Sequence, residues 1–290
     1  MSATDYRGYV ERFLELEAAG TSLPQGAPAD PPARPAARPD APCALLFSPH
    51  PDDECIAGAW PLRLRLECGW RVHNVSLTLG RHEARRPARA RELDEACRVL
   101  GFETEVLLEH GFHEISRAAR AADAGAWDAM AARAAGIVRE RAPRAIFVPH
   151  EWDGHPTHEG AALLVADALV QLGEGFDGWV VETEYWSTLR RPNVMVEATP
   201  SLAGHLLAAL VCHVGEIRRN PYHLAFPAWL RDGARRGAER VGGFGSAAGS
   251  VRLAEVYARR RWTGGRAQPA PDGRLILAGD DPSAPLPETT

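Results

Sequence analysis

Lysine is absent from all 290 residues, so every basic residue is an arginine. Schiff-base chemistry and lysine nucleophiles are thereby excluded. The five cysteines, Cys43, Cys55, Cys68, Cys97 and Cys212, are odd in number and show no C-x-x-C spacing. They argue against a disulfide framework and against a cysteine zinc site, and buried free thiols are expected instead. No run of 18 apolar residues occurs, and the opening MSATDYRGYVERFLELEAAG carries acids without a long apolar stretch, so no membrane span and a cytoplasmic location are expected. A glycine loop of phosphate-cradling spacing is also missing. Positive charge is in deficit, with 33 basic against 38 acidic residues and a formal net charge of −5. That balance speaks against a nucleic-acid partner, and the local run RHEARRPARARE reads as a solvated helix face.

What is present is an ordinary globular composition, 45% hydrophobic and 24% charged. Residues 5–19 place Tyr9, Phe13, Leu14 and Leu16 near helical spacing, predicting a short amphipathic helix docked on the main body. TSLPQGAPADPPARPAARPDAP is too rich in proline for helix or central strand and reads as an extended linker or strap. Apolar runs of strand length (CALLFSPH, RVHNVSLTL, ETEVLLE, AIFVPH) then alternate with helical stretches (DECIAGAWPLRLRLECG with a break near Pro61, RARELDEACRVLG, AGAWDAMAARAAGIVRERA). EGAALLVADALVQL, WVVETEYWS and NVMVEA extend the alternation, and SLAGHLLAALVCHVGEI reads as a late helix. The predicted class is α/β, a doubly wound, mostly parallel sheet with helices on both faces. From about Gly264 the chain turns polar and proline-rich apart from RLILAG, predicting a mobile tail with one edge strand.

Chemistry concentrates in two loops. FSPHPDDECIAG and PHEWDGHPTHEG each follow an apolar strand, and in open α/β sheets ligands bind beyond the carboxyl ends of strands, so the loops should meet at one rim. Asp52, Asp53 and Glu54 stand in a row and repel one another unless a cation or a proton relieves them. The spacings His50-x-x-Asp53 and His155-x-x-His158 bring ligand-type side chains to one side of a turn. Imidazole nitrogen with carboxylate oxygen suits Zn²⁺, with Fe²⁺ the alternative. His150, Asp153 and Glu159 compete for places around such an ion, Glu159 being better placed to stabilise the first turn of the following helix. The remaining histidines, His73, His82, His110, His113, His205, His213 and His223, read as capping or hydrogen-bonding residues. Trp152, Tyr222, Phe226 and Trp229 are candidates for stacking on a sugar, with core packing the commoner use of such residues. GFHEISRAARAAD and RNPYHLAFPAWL are expected as rim loops.

PHPDDE at 49–54, TLG at 78–80, Arg89-x-x-Glu92 and HPTH at 155–158 together resemble the LmbE/PIG-L family of zinc-dependent de-N-acetylases. The resemblance runs from about Cys43 to about Arg260, where SVRLAEVYARR is similar to the family's closing segment. It implies a Rossmann-like sheet and the division 1–42 (N-terminal helix and proline-rich linker), 43–262 (LmbE-like deacetylase domain) and 263–290 (C-terminal tail). It also implies a substrate that is a small-molecule amino sugar conjugate of the N-acetylglucosamine type, deacetylated by attack of zinc-bound water on the amide. Carried over by position, it makes His50, Asp53 and His158 the Zn²⁺ ligands, Asp52 the general base, His155 the stabiliser of the oxyanion or an acid, and Arg89 and Glu114 substrate contacts. Thr157 stands where many members have Asp, Arg81 and His82 follow TLG where an acid is common, and Glu114 replaces Asp. Two competing readings are a non-catalytic, metal-containing glycan-binding relative, against which Asp52 speaks, and a non-haem Fe²⁺ oxygenase, which favours a β-rich barrel. Homo-oligomerisation is left open.

Overall fold

The structure, a computed structural model, describes residues 3–29, 37–38, 40–108, 111–243 and 250–288. In chain order the elements are α1 (Ala3–Ala19), β1 (Cys43–Ser48), α2 (Asp53–Ile56), α3 (Ala59–Glu67), β2 (Arg71–Ser76), α4 (Arg86–Leu100) and β3 (Glu103–Val106). Then follow α5 (Arg117–Ala122), α6 (Ala124–Arg141), β4 (Ala145–Pro149), α7 (Pro156–Leu172), β5 (Gly178–Thr183) and β6 (Val194–Glu197). The chain closes with α8 (Pro200–Leu210), α9 (Val214–Ile217), α10 (Tyr222–Arg240), β7 (Ala254–Thr263), β8 (Arg266–Ala267) and β9 (Arg274–Ile276).

The sheet order is β3-β2-β1-β4-β5-β7-β6-β9, with β8 paired to β7. Strands β3, β2, β1, β4 and β5 run parallel, β7 is antiparallel to both β5 and β6, and β9 is parallel to β6. The doubly wound, mostly parallel α/β sheet expected from the alternation is the observed fold. Strand β1 shows why: all its residues are buried, so a continuous apolar run is needed rather than an alternating one. Ala44 and Leu46 pack with Trp60, Leu93 and Leu206 on one face, while Leu45 and Phe47 pack with Ala131, Val138 and Leu164 on the other. No described helix is long and apolar enough to cross a membrane.

Several segments differ from expectation. The helix after PHPDD is two helices, α2 and α3, and the break precedes Pro61, which sits in the first turn of α3 where its missing N–H costs nothing. The break falls at Gly58, where an added Cβ would lie 2.3 Å from the Glu54 carbonyl oxygen. The late helix likewise divides into α8 and α9, and RNPYHLAFPAWL opens the long helix α10, which carries Pro227 inside it. Phe226 and Leu230 bury that helix against the core, and this packing outweighs the hydrogen bond lost at proline. The described residues from 263 to 288 pack on the body of the protein rather than trailing as a tail. Trp60 Nε1 donates to Pro282 O at 2.8 Å, Trp179 Nε1 to Pro287 O at 3.1 Å and Arg63 to the carbonyls of Ile276 and Asp280, while Leu286 is fully buried. Buried indole and guanidinium donors need acceptors, and backbone carbonyls supply them whatever the tail's composition. Helix α1 forms and meets α10, but its apolar residues stay more than half exposed. Residues 30–36 and 39 of the linker, and His110, lie outside the described residues.

Glu255 of β7 accepts the Ala59 N–H at the first turn of α3 at 3.0 Å and the Tyr257 hydroxyl, and burial pushes its carboxyl up to about 8. Its acid is raised in the folded state, so the stability it contributes is present at low pH and is lost as pH rises from the ordinary carboxyl range through about 8. Thermal melts of the wild type should therefore fall in Tm across that window. Glu255→Gln, which keeps the acceptor and loses the proton, should flatten the profile.

Candidate metal centre and catalytic cleft

Strands β1 and β4 are neighbours in the sheet, so the loops after Ser48 and Pro149 emerge side by side at their carboxyl ends. His50, Asp53 and His158 each offer a ligand atom there, all within 4.8 Å of one another. The His50 N–H donates to Asp53 Oδ2 at 2.8 Å, and His158 Nε2 stands 3.6 Å from Asp53 Oδ1. Asp53 and His158 are buried, yet Asp53 Oδ1 has no hydrogen-bond partner. Burial alone would raise the Asp53 carboxyl, but His158 and His50 outweigh it and hold it below the usual range. For His158, burial pulls the imidazole down while Asp53 and Asp153 pull harder and leave it raised. His50 is lowered, chiefly by burial.

Asp52 lies beside this centre in a left-handed backbone conformation, φ 112°, which a residue with a Cβ seldom adopts. Its neighbours hold it there. The Asp52 N–H donates to Glu54 Oε2 at 2.9 Å, and Glu54 Oε1 in turn pairs with His213 Nε2 at 2.6 Å, both side chains being buried. From the other side Arg89 Nη2 donates to the Pro51 carbonyl at 2.9 Å. Arg89 passes Gly80, where an added Cβ would meet its Nη1 at 2.4 Å and where φ is +84°. Burial, and then the charge of Asp53, push the Asp52 carboxyl well above its ordinary value, with Arg89 a partial offset.

His155 caps the N-terminus of α7, and its Nδ1 accepts the Thr157 N–H at 3.3 Å. An acceptor at Nδ1 leaves the neutral ring's proton on Nε2. Burial and the neighbouring His50 and His158 push this imidazole down to about 4. With Thr157 at this place, no carboxylate from that position meets the ring. His155 stacks on Trp186 with centroids 5.9 Å apart, and His158 meets Tyr185 at 4.9 Å. Asp153 ties the wall together: its Oδ1 lies 3.2 Å from His158 Nδ1, and its Oδ2 accepts the Trp186 N–H at 3.0 Å.

The centre opens into a cleft of about 210 Å³ bordered by His50, His155 and four arginines, Arg81, Arg85, Arg89 and Arg219. One carboxylate, Glu216, is shared among three of them, at 3.1 Å from Arg85, 2.9 Å from Arg219 and 3.9 Å from Arg89. Part of the run read as a solvated helix face thus faces the cleft. Glu114 lies exposed at the rim and accepts from Ser116 Oγ at 3.3 Å. His150 bonds the Ser187 carbonyl at 3.0 Å, and Glu159, in the first turn of α7, pairs with Arg117 at 2.8 Å. Tyr222 and Trp229 join the aromatic group of Tyr185, Phe226 is core, and Trp152 lies under Arg117 and Arg190.

Sequence reasoning placed Asp153 only as a competing ligand, overlooked Tyr185 and Trp186, and set His213 aside. The WDG turn between His150 and His155 was the one signal for Asp153. A second grouping among the described residues, Glu54, Cys55 and His213, is already joined internally, and burial and Glu54 keep the Cys55 thiol well above its usual range, so it is not a thiolate ligand.

With this geometry in hand the class is plain: an open α/β sheet bearing a His-Asp-His cluster beside a second, buried aspartate. Residues 45–169 match the family described as PIG-L: GlcNAc-PI de-N-acetylase. The fold is similar to that of the conserved protein TT1542 from Thermus thermophilus, at 21% identity and TM-score 0.58, covering 74% of this chain and 92% of that one. It is similar to N,N'-diacetylchitobiose deacetylase from Pyrococcus horikoshii, at 18% identity and TM-score 0.56, covering 78% and 85%. It is also similar to the 4-carboxy-2-hydroxymuconate hydratase from Pseudomonas putida, at 20% identity and TM-score 0.57, covering 75% and 95%. No curated protein matches the sequence.

The left-handed Asp52 next to Asp53 combines backbone strain with like-charge repulsion. In chelator-treated protein, Asp52→Gly should relieve both and raise stability by roughly 1 kcal/mol, the scale of one strained residue. Chemical denaturation checks this, and an unchanged or lowered midpoint contradicts it.

Proposed function

We propose that the chain is a zinc-dependent de-N-acetylase that hydrolyses the acetamide of an N-acetylglucosamine-type conjugate. The observation that carries this reading is the buried His50–Asp53–His158 cluster with Asp52 on one side and His155 on the other. Two imidazole nitrogens, one carboxylate and the unpartnered Asp53 Oδ1 fit zinc in a three-ligand site. Bound there, zinc would supply Lewis-acid activation of water and of the amide carbonyl. Asp52, whose raised carboxyl makes it a stronger base, takes the proton of the attacking water and passes it to the amide nitrogen as the C–N bond breaks, releasing acetate and a free amine. His155, carrying its proton on Nε2, donates a hydrogen bond to the carbonyl oxygen as charge builds there. Asp153 keeps His158 oriented, and the Glu54–His213 pair keeps the Asp52 turn in place.

Arg81, Arg85, Arg89 and Arg219 border the same cleft, with Glu216 shared among three of them. This surplus of guanidinium favours a conjugate whose aglycone bears a carboxylate or phosphate. A parallel α/β sheet disfavours the oxygenase reading. A glycan-binding relative without activity is what the assay below separates. We place the reaction in the cytoplasm, which five unpaired cysteines support.

Acetate release from a panel of neutral and anionic N-acetylglucosamine conjugates tests the activity. No release from any of them by zinc-loaded protein sinks it in favour of a binding role. Asp52→Asn should retain zinc by elemental analysis and lose about 10² to 10⁴ in turnover, whereas Asp53→Asn and His158→Ala should lose the metal. Arg81→Ala should raise KM about two- to fivefold for anionic conjugates only.

The base must be ionised, so turnover should fall as pH drops through the raised Asp52 value. His155, protonated only near 4, stays a neutral donor across that limb. Thr157→Asp, which sets a carboxylate beside the ring, should raise the His155 pKa and change the profile.

A further inference from the structure

Helix α1 is amphipathic, and its apolar side is turned to water. Tyr6, Tyr9, Val10, Phe13, Leu14 and Leu16 are each more than half exposed, between 55% and 75%. On a helix these positions fall on one broad face. A helix of this length draws most of its stability from packing such a face, so an uncovered one marks an interaction surface. Beside it lies a groove of about 1030 Å³ between α1 and α10 bordered by Phe13, Leu16, Leu23, Leu207, Leu224 and Pro227. His223 borders the same groove, is only 5% exposed, and has no hydrogen-bond partner at Nδ1. Buried polar atoms are nearly always satisfied, so the groove calls for an occupant that is apolar with a polar tip.

The chain's own α1 forms one wall of this groove through Phe13, Leu16 and Glu17 and leaves it open. At the helix end Gly20 is held so near α10 that an added Cβ would lie 2.7 Å from Leu224 Cδ2, which fixes where α1 departs. Charge points to the occupant. On α1, Asp5, Glu11, Glu15 and Glu17 outnumber Arg7 and Arg12, whereas on the last part of α10 Arg231, Arg235, Arg236 and Arg240 outnumber Asp232 and Glu239. Arg231 donates to the Val251 and Arg252 carbonyls.

We propose that the groove receives α1 of a second copy of this chain, so that each copy's α1 lies in the other's groove about a two-fold axis. Such an interface is self-complementary: the acidic flank of one α1 meets the basic end of the other copy's α10, and Tyr6 and Tyr9 bring hydroxyls to His223. The inference does not depend on the catalytic reading, because none of these residues belongs to the cleft.

Sedimentation equilibrium on the full chain should give twice the 31.5 kDa mass of one copy. Phe13→Glu with Leu16→Glu, both at exposed positions, should weaken dimerisation at least about 100-fold with helix content and acetate release unchanged. Glu17→Arg should weaken it, and adding Arg231→Glu should restore it, since each copy carries both changes. A wild-type chain that is monomeric up to about 100 μM overturns the proposal. A dimer indifferent to Phe13→Glu/Leu16→Glu overturns it too, and so does a charge pair that fails to restore. A monomer that instead co-sediments with phosphatidylcholine vesicles assigns the face to a membrane.

Discussion

The structure turns on one buried carboxylate. Asp53 sits between His50 and His158 with one oxygen committed to a backbone N–H and the other left without a hydrogen bond. An uncompensated charge in that position is costly, and the surrounding groups are arranged around it. The two histidines hold it ionised, Asp153 orients one of them, and the adjacent Asp52 is pushed the opposite way by burial and then by the charge of Asp53. Two neighbouring acids thus acquire opposite tendencies, one kept as an anion and one made basic, which is the separation of roles that metal-assisted hydrolysis requires.

That arrangement needs a rigid frame. Parallel pairing of β1 with β4, buried on both faces, sets the two loops at a spacing the loops themselves do not determine. The strained turn at Asp52 persists because Glu54, His213 and Arg89 grip it from both sides. His213 belongs to the junction between α8 and α9, and the same short helix carries Glu216 to the arginine wall. Asp52 and the basic wall of the cleft are therefore braced by one segment. This fold also appears in a hydratase as well as in a deacetylase, so the reading of activity rests on the site and not on the sheet.

Outside that common frame, chain-specific features decide the rest. Arg81 stands where an acid is common in the family, and Thr157 offers its backbone N–H to His155. The first adds a guanidinium to the border of the cleft, and the second's N–H is accepted by His155 Nδ1, on an imidazole that burial and the neighbouring His50 and His158 push down to about 4. Helix α1, ahead of the stretch that matches the PIG-L family, presents its apolar residues outward.

Much of this was legible in the sequence where local rules govern. The continuous apolar runs of CALLFS and AIFVP announced buried parallel strands, and the alternation with helices announced the doubly wound sheet, because periodicity reports burial directly. PHPDDE and HPTH pointed to a cation because three adjacent acids demand one. Tertiary structure alone decided the partners: that Asp153 reaches His158, that His213, 159 residues from Glu54, supports the loop of Asp52, and that Arg85, Arg89 and Arg219 converge on Glu216. It also turned a proline-bearing loop into α10 and seated the tail on Trp60 and Trp179. These contacts join residues far apart along the chain through hydrogen bonds and charge, and neither leaves a periodic trace in the sequence.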